Sequence, residues 1–452
     1  MKRGFLGFFI LFGSFFLLAA PSHSQDLAHS QDLAHSQDFG LEDLYRAALE
    51  RAERVRFTEE ELNISRLEKE RALSGIIPDI TAYGAYTRYS ESKVSGTAAT
   101  LIQPESSTAY GLRLDQFYSL GGREFRDIRI AEAGIERTGY DVSAFKEGYL
   151  FSVAGAYYDV LKGAKLVDIA KANVDRLSKQ RDAADARLRV GEVTKTALLR
   201  AEAELSGARS ELVRADNALK ISKAVLAREV GIEGDFGLKE TEGAEDGITI
   251  YTLPALKELA FTERAELKSL HLEKKIAGEG ARNARGEYWP FLALQGVYEK
   301  RDANPSTLFF NDETIFGGVS LNFVVFEGGL RKARVSEAEA RERQISLLYE
   351  DLRREVSVEV EKAYFDYLTE KGVFDALRDQ LLFAGDNFNA VSKQFTYGLA
   401  DSLDVMDANA LLVTAERQVA EAGYNYHVAI LRLKRATGTL LAQVTGDEEK
   451  NK

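Results

Sequence analysis

Cysteine is absent from all 452 residues. That excludes disulfides and a lipid anchor on an N-terminal cysteine. Histidine is scarce: there are five, three of them at 23, 29 and 35 near the N-terminus. Only His271 and His427 remain beyond them, which leaves almost no material for histidine-centred catalysis or a zinc site. Positive charge is in deficit, with 59 Lys and Arg against 71 Asp and Glu, a net charge of −12. A chain so acidic is not built for nucleic acid. The double glycines Gly121-Gly122 and Gly328-Gly329 lack the Lys-Ser/Thr of a phosphate-binding loop. Carboxylates are plentiful but fit helical surfaces, so no enzyme, cofactor or metal is expected. After residue 20 no apolar run approaches the ~20 residues of a membrane helix. Any crossing of a membrane must be made by strands.

The N-terminus is a different matter. Basic Lys2 and Arg3 precede an apolar run from Phe5 to Ala20, with small residues at Ala19, Ala20, Ser22 and Ser24. This order predicts a secretory signal peptide over 1–24. His-Ser-Gln-Asp recurs at 23, 29 and 35, so 25–40 reads as a replicated low-complexity linker.

Beyond it the chain is written twice. Ala156-Tyr157-Tyr158-Asp159 returns 207 residues later as Ala363-Tyr364-Phe365-Asp366, and the same offset relates Gly121 to Gly328, Gly191 to Gly398 and Gly231 to Gly438. Upstream, Leu44 to Pro78 matches Leu256 to Pro290 at an offset of 212. Two repeats are therefore expected, 41–240 and 253–440, followed by a polar tail over 441–452.

Proline outlines the elements. The six prolines leave 105–253 and 306–452 free of any, and both stretches are rich in helix formers. Val153, Tyr157, Val160, Ala164, Val167 and Val174 keep the alternating four-three spacing of a coiled-coil seam, repeated by Val360, Tyr364, Tyr367, Phe374 and Leu381. Long helices are predicted over 122–190 and 329–397, each about 100 Å at ~1.5 Å per residue. Returning helices follow over 193–230 and 401–437.

Between proline and double glycine the composition changes to alternating, aromatic-rich segments within 79–117 and 290–326. Their length suits tilted membrane strands. Tyr83, Tyr86, Tyr89, Tyr110, Trp289, Phe291, Tyr298, Phe316 and Phe323 are candidates for interfacial belts in outer-membrane lipid; a soluble hairpin packed on a helix would alternate similarly. Two hairpins supply four strands, and an open sheet in lipid leaves its edges unpaired. Membrane strands would therefore require several chains to close one barrel.

This duplicated helix–β-hairpin–long helix–helix order, with Gly398-Leu-Ala-Asp-Ser-Leu-Asp404-Val-Met-Asp407-Ala, Tyr424-Asn-Tyr426 and Ala436-Thr-Gly438, resembles the TolC-like outer-membrane efflux proteins over about 41–440. The resemblance implies a mainly α fold with membrane β-strands. It implies a homotrimer forming a 12-stranded β-barrel in the outer membrane and a 12-helix α-barrel in the periplasm. It also implies a passive exit duct for efflux or type I secretion, served by a periplasmic adaptor and an inner-membrane transporter.

On the same resemblance Asp404 and Asp407 match the aspartates that ring the tunnel constriction. Three apart, they share one helix face, though a plain role at the helix start suits them equally. The first repeat has Ala197 and Arg200 at the equivalent positions, so the ring would come from the second repeat alone. Arg187, Arg189, Lys195, Lys393 and Tyr397 are candidates for holding the tip shut, the alternative being a solvated surface. Val190-Gly191-Glu192 and Gly398-Leu399, with Tyr397 before them, match adaptor-docking turns, the alternative being simple turn chemistry. The rival reading is a non-channel periplasmic coiled-coil adaptor or scaffold.

Overall fold

In the computed structural model, residues 38–96, 100–240, 252–306 and 311–450 are described; the expected signal peptide and linker residues 25–37 lie outside them. In chain order the elements are β1 (Asp38–Phe39), α1 (Leu41–Arg51), α2 (Glu53–Ser74), β2 (Asp79–Arg88), β3 (Lys93–Ser95), β4 (Thr100–Gln103), β5 (Ser106–Ser119), α3 (Arg123–Arg189) and α4 (Lys195–Val230). Then come β6 (Gly237–Leu238), α5 (Leu253–Glu263), α6 (Ala265–Gly286), β7 (Phe291–Asn304), β8 (Glu313–Asn322), α7 (Leu330–Thr396), α8 (Ser402–Thr437) and α9 (Leu440–Lys450).

The duplication is visible element by element. α3 and α7 have 67 residues each, α4 and α8 36, α2 and α6 22, α1 and α5 11. A helix of 67 residues is a rod of about 100 Å, too long for any single compact core. The helices instead form a wall. α4 packs on α3, α3 on α8 and α8 on α7 toward the far end; nearer the sheet the order is α2, α3, α6, α7. The predicted seam is the buried face, with Val153, Tyr157, Val160, Val167, Val360 and Tyr367 all buried.

The core is thickest mid-molecule. There α1, α3, the end of α4 and α9 share one cluster around Leu44, Leu150, Tyr157 and Leu226, and α5, α7 and α8 share another around Val356, Val360 and Ile430. Toward the tip only small clusters remain, such as Ala184, Ala201 and Met406. Of the polar tail expected over 441–452, residues 441–450 belong to helix α9. Leu441 and Val444 share an apolar face with Leu440 and pack on the first cluster, and Glu147 of α3 accepts the Leu440 N–H at 2.9 Å. Desolvation pushes that carboxyl above the ordinary glutamate range.

One buried cation ties the second repeat together. Arg264, at the α5–α6 junction, pairs with Glu266 at 2.9 Å and with Glu359 of α7, and reaches the Ala436 carbonyl at the end of α8. The first repeat has Ala52 at the matching position.

β2, β5, β7 and β8 form one antiparallel sheet in that order. β3 and β4 make a small hairpin in the loop between β2 and β5. β8 was expected to run to Phe326 but ends at Asn322. Its outer edge has no partner strand among the described residues, and Phe323 to Phe326 make no ladder. Among the described residues no helix is long and apolar enough to cross a membrane.

Candidate functional site in the sheet and at the helical tip

The register of the four-stranded sheet sorts its side chains into two faces, because directly paired residues share a face and successive residues alternate. Ile80, Leu114, Gly296 and Gly317 lie in one row; Ala82, Leu112, Tyr298 and Ile315 in the next. Leu292, Leu294, Val319 and Leu321 continue the same face. It is apolar and bare, with Ile80, Ile315 and Val319 each at least 70% exposed.

The opposite face is polar. Asp115 accepts from Arg113 Nε at 2.6 Å and from Gln295 Nε2 at 3.2 Å. Glu299 accepts the Tyr83 hydroxyl at 2.8 Å and pairs with Arg301. A soluble hairpin on a helix would bury its apolar side; here the apolar side is exposed and the polar side is internally hydrogen-bonded. That is the division a membrane barrel requires.

The nine candidate aromatics divide accordingly. Tyr86, Tyr110 and Tyr298 are on the apolar face, nearer the outer end of the hairpins. Tyr83, Phe291 and Phe316 fall on the polar-face register. Tyr89 lies just beyond β2, and Trp289 and Phe323 stand at the foot of the sheet, outside the ladders. Arg113, Asp115 and Glu299 were not singled out from sequence, although their alternation with Leu112, Leu114 and Tyr298 carries the signal.

At the far end of the wall both turns are built alike. Gly191 and Gly398 have φ of 81° and 73°, the left-handed region where a Cβ is strained. Glu192 N–H bonds the Arg187 carbonyl at 2.9 Å and Leu399 N–H the Gln394 carbonyl at 2.8 Å, closing each long helix. Val190, Tyr397 and Leu399 project with 70–80% of their surface exposed.

Arg187 bridges the two turns. Its guanidinium lies 4.0 Å from the centre of the Phe395 ring, donates to the Phe395 carbonyl at 3.0 Å and stands 4.0 Å from Glu192. Arg189 pairs instead with Asp185, one turn back on its own helix. Lys195 and Lys393 make no ion pair among the described residues. Arg187→Ala removes a cation–π contact and a charged hydrogen bond, each worth on the order of 1–2 kcal/mol. Faster amide exchange at 395–399, with exchange at Leu150 unchanged, is expected by mass spectrometry; unaltered exchange at 395–399 would contradict the bridge.

Asp404 and Asp407 are both exposed on the first turns of α8. Asp404 also caps its own helix. Its carboxylate accepts the Asp401 N–H at 2.9 Å while Asp401 Oδ1 accepts from Leu403 and Asp404 at 2.7 and 3.0 Å. This reciprocal cap fixes the helix start and leaves one Asp404 oxygen to solvent. Arg200 and Asp401 line one cleft of about 620 Å³ between the turns, with Arg187 and Glu192.

Outer membrane efflux protein is the family that matches residues 44–231 and 256–439, one span in each repeat. The chain belongs to that family. It consists of outer-membrane channel proteins. TolC of Vibrio cholerae is 26% identical over 69% of this chain and 73% of its own length. Outer membrane efflux protein BepC of Brucella suis is 23% identical over 74% and 73%, and the alkaline protease secretion protein AprF of Pseudomonas aeruginosa 24% over 64% and 61%. Among solved structures, CusC superposes with a TM-score of 0.79 at 18% identity, covering 89% of this chain and 92% of that one. The open state of the Neisseria gonorrhoeae MtrE channel gives 0.75 at 19%, covering 89% of each. The fold is shared, and the efflux protein is an outer-membrane channel with its helical part in the periplasm.

Proposed function

We propose that three copies of this chain close into one passive duct, which carries cargo from an inner-membrane transporter, through a periplasmic adaptor, to the exterior. The observation that carries this reading is the sheet. It is apolar on one face and polar on the other, and neither edge has a partner strand among the described residues. An open edge in hydrocarbon leaves backbone groups without partners. The helical wall repeats the argument. Phe57, Ile64 and Leu67 on α2, with Val213, Ile221 and Val225 on α4, expose one edge. Leu347, Val358, Phe365, Leu382 and Phe383 on α7 expose the other. Apolar surface on both edges suits a wall that joins copies of itself.

In this reading no residue performs chemistry. The polar face lines the pore, and Tyr86, Tyr110 and Tyr298 lie at the outer interface. The turns at Val190-Gly191-Glu192 and Gly398-Leu399 meet the adaptor. Asp404 and Asp407 from three copies ring the constriction, where a narrow, low-dielectric lumen focuses their field on passing ions.

Planar-bilayer recording of Asp404→Ala/Asp407→Ala tests the ring. Loss of cation preference and about tenfold weaker block by multivalent cations are expected. Wild-type selectivity in the double variant would rule the ring out. Asp404→Asn, which keeps an acceptor for the Asp401 N–H, separates the charge from the helix cap.

A further inference from the structure

The trimer reading leaves open which residues meet between copies; the two repeats supply that register. The offsets of 212 for β2 and α2, and of 207 for β5 and α3, can be checked against an observed pairing. Asp79↔Asp115 in the first hairpin maps onto Phe291↔Asn322, which is the register seen in the second. The repeats are therefore superposable through their strands without a slip.

The seam between repeats is also on display. β5 pairs with β7 from Ser119↔Phe291 to Ser106↔Asn304. Below it α3 meets α6 through Arg137–Glu273 at 2.7 Å, Arg123–Glu287 at 3.4 Å and the Ser269 hydroxyl on Asp141. The second repeat offers the same outer edge, β8 and α7, and β8 has no partner strand on that side among the described residues.

Resting on the trimer reading, we infer that β8 and α7 dock on β2 and α2 of a second copy in the register of the internal seam. Applying the offsets places Asn322 opposite the partner's Tyr83, Val319 opposite the partner's Tyr86 and Leu321 opposite the partner's Gly84. Phe326 comes opposite the partner's Asp79. Each pair then joins like faces: Val319 and Leu321 share the apolar face with Tyr86 and Gly84. A slip of one residue would turn every one of them over.

The same offsets carry two consequences. Residues 323–326, which make no ladder in the protomer, correspond to 116–119 of β5, which are strand. Val325 and Phe326 are more than 80% exposed beside the open edge; docking converts this segment into the last residues of β8. On the helices, the Asp141–Ser269 contact becomes Leu348 against the partner's Phe57, two large apolar groups now exposed at 48% and 66%. The Arg137–Glu273 contact becomes Gln344 against the partner's Glu61. Arg341, paired with Glu337 on its own helix, falls opposite the partner's Ile64, so the apolar contact and not the ion pair carries this part of the seam.

Because the chain has no cysteine, paired cysteines report the register without background. The full-length chain carrying Asn322→Cys/Tyr83→Cys, or separately Leu348→Cys/Phe57→Cys, is oxidised in isolated outer membranes and run without reductant. Covalent trimer is the expected main species for both pairs: facing strand residues are within disulfide reach, and the helix pair takes the places of Asp141 and Ser269, whose side chains touch across the internal seam. Asn322→Cys/Thr87→Cys, four residues out on the same face, should stay monomeric on the gel. Phe326→Cys/Asp79→Cys reports the strand extension: cross-linking supports it, and a blank lane beside a linked Asn322/Tyr83 pair overturns it. Linking of the shifted pair in place of the predicted one overturns the register while leaving the trimer intact. Native mass of the unoxidised protein separates the two failures, because a monomer there would sink the duct reading itself.

Discussion

Val319→Arg is expected to deplete the protein from the outer membrane, whereas Ser320→Arg, one residue on, leaves it in place. Val319 sits on the bare apolar face, 71% exposed, beside Leu294. An arginine near the bilayer midplane of a barrel strand costs about 2–4 kcal/mol. Three copies in one barrel multiply that to about 6–12 kcal/mol, comparable with the whole stability of many domains. Ser320 shares the opposite face with Ala293 and the Arg113–Asp115 side, where an added guanidinium meets water. The amount of trimer in the outer-membrane fraction measures both. Equal loss from the two substitutions would mean that the sheet does not separate lipid from lumen.

Arg264→Ala should be the most damaging single change in the helical part. The side chain is 6% exposed and holds Glu266, Glu359 and the Ala436 carbonyl at once. Removing one member of a buried ion cluster strands the others and costs about 3–5 kcal/mol. The low end applies here, since Glu266 and Glu359 keep more than a third of their side-chain surface in water. Arg264→Lys recovers little, because an ammonium cannot serve two carboxylates in a fork. Denaturant titration of the helical part reads the loss; a change below about 1 kcal/mol, the range of exposed pairs, would show that the cluster contributes no net stability.

The Arg264 prediction comes from an asymmetry between the repeats, Ala52 standing at the matching position. The Val319 prediction comes from the two faces of the sheet. The two differ in how far they could be read from sequence. The landmark glycines and Ala-Tyr-aromatic-Asp fix the helix lengths because left-handed caps and a buried seam tolerate few alternatives. The turns at Gly191 and Gly398 were legible for that reason. Packing of the ends was less so. Leu440, Leu441 and Val444 look like scattered apolar residues in a polar tail until Glu147, nearly 300 residues earlier, meets the first N–H of α9. Arg264 reads like any surface arginine, since its burial depends on α7 and α8 closing over it. Among the aromatics, composition identified membrane-strand candidates, but only the register told Tyr86 from Tyr83. At the tip, Arg187 was found by proximity to the turn, while its partner Phe395 lies in the other repeat and has no sequence signal.

Whether this outer membrane efflux protein closes as a threefold tube is decided by electron microscopy of the detergent-extracted protein. A trimer with a continuous lumen is expected, with a short barrel at one end and a helical part on the order of 100 Å. A particle without a lumen, or of any other symmetry, would mean that the open edges of sheet and wall are not closed by copies of this chain.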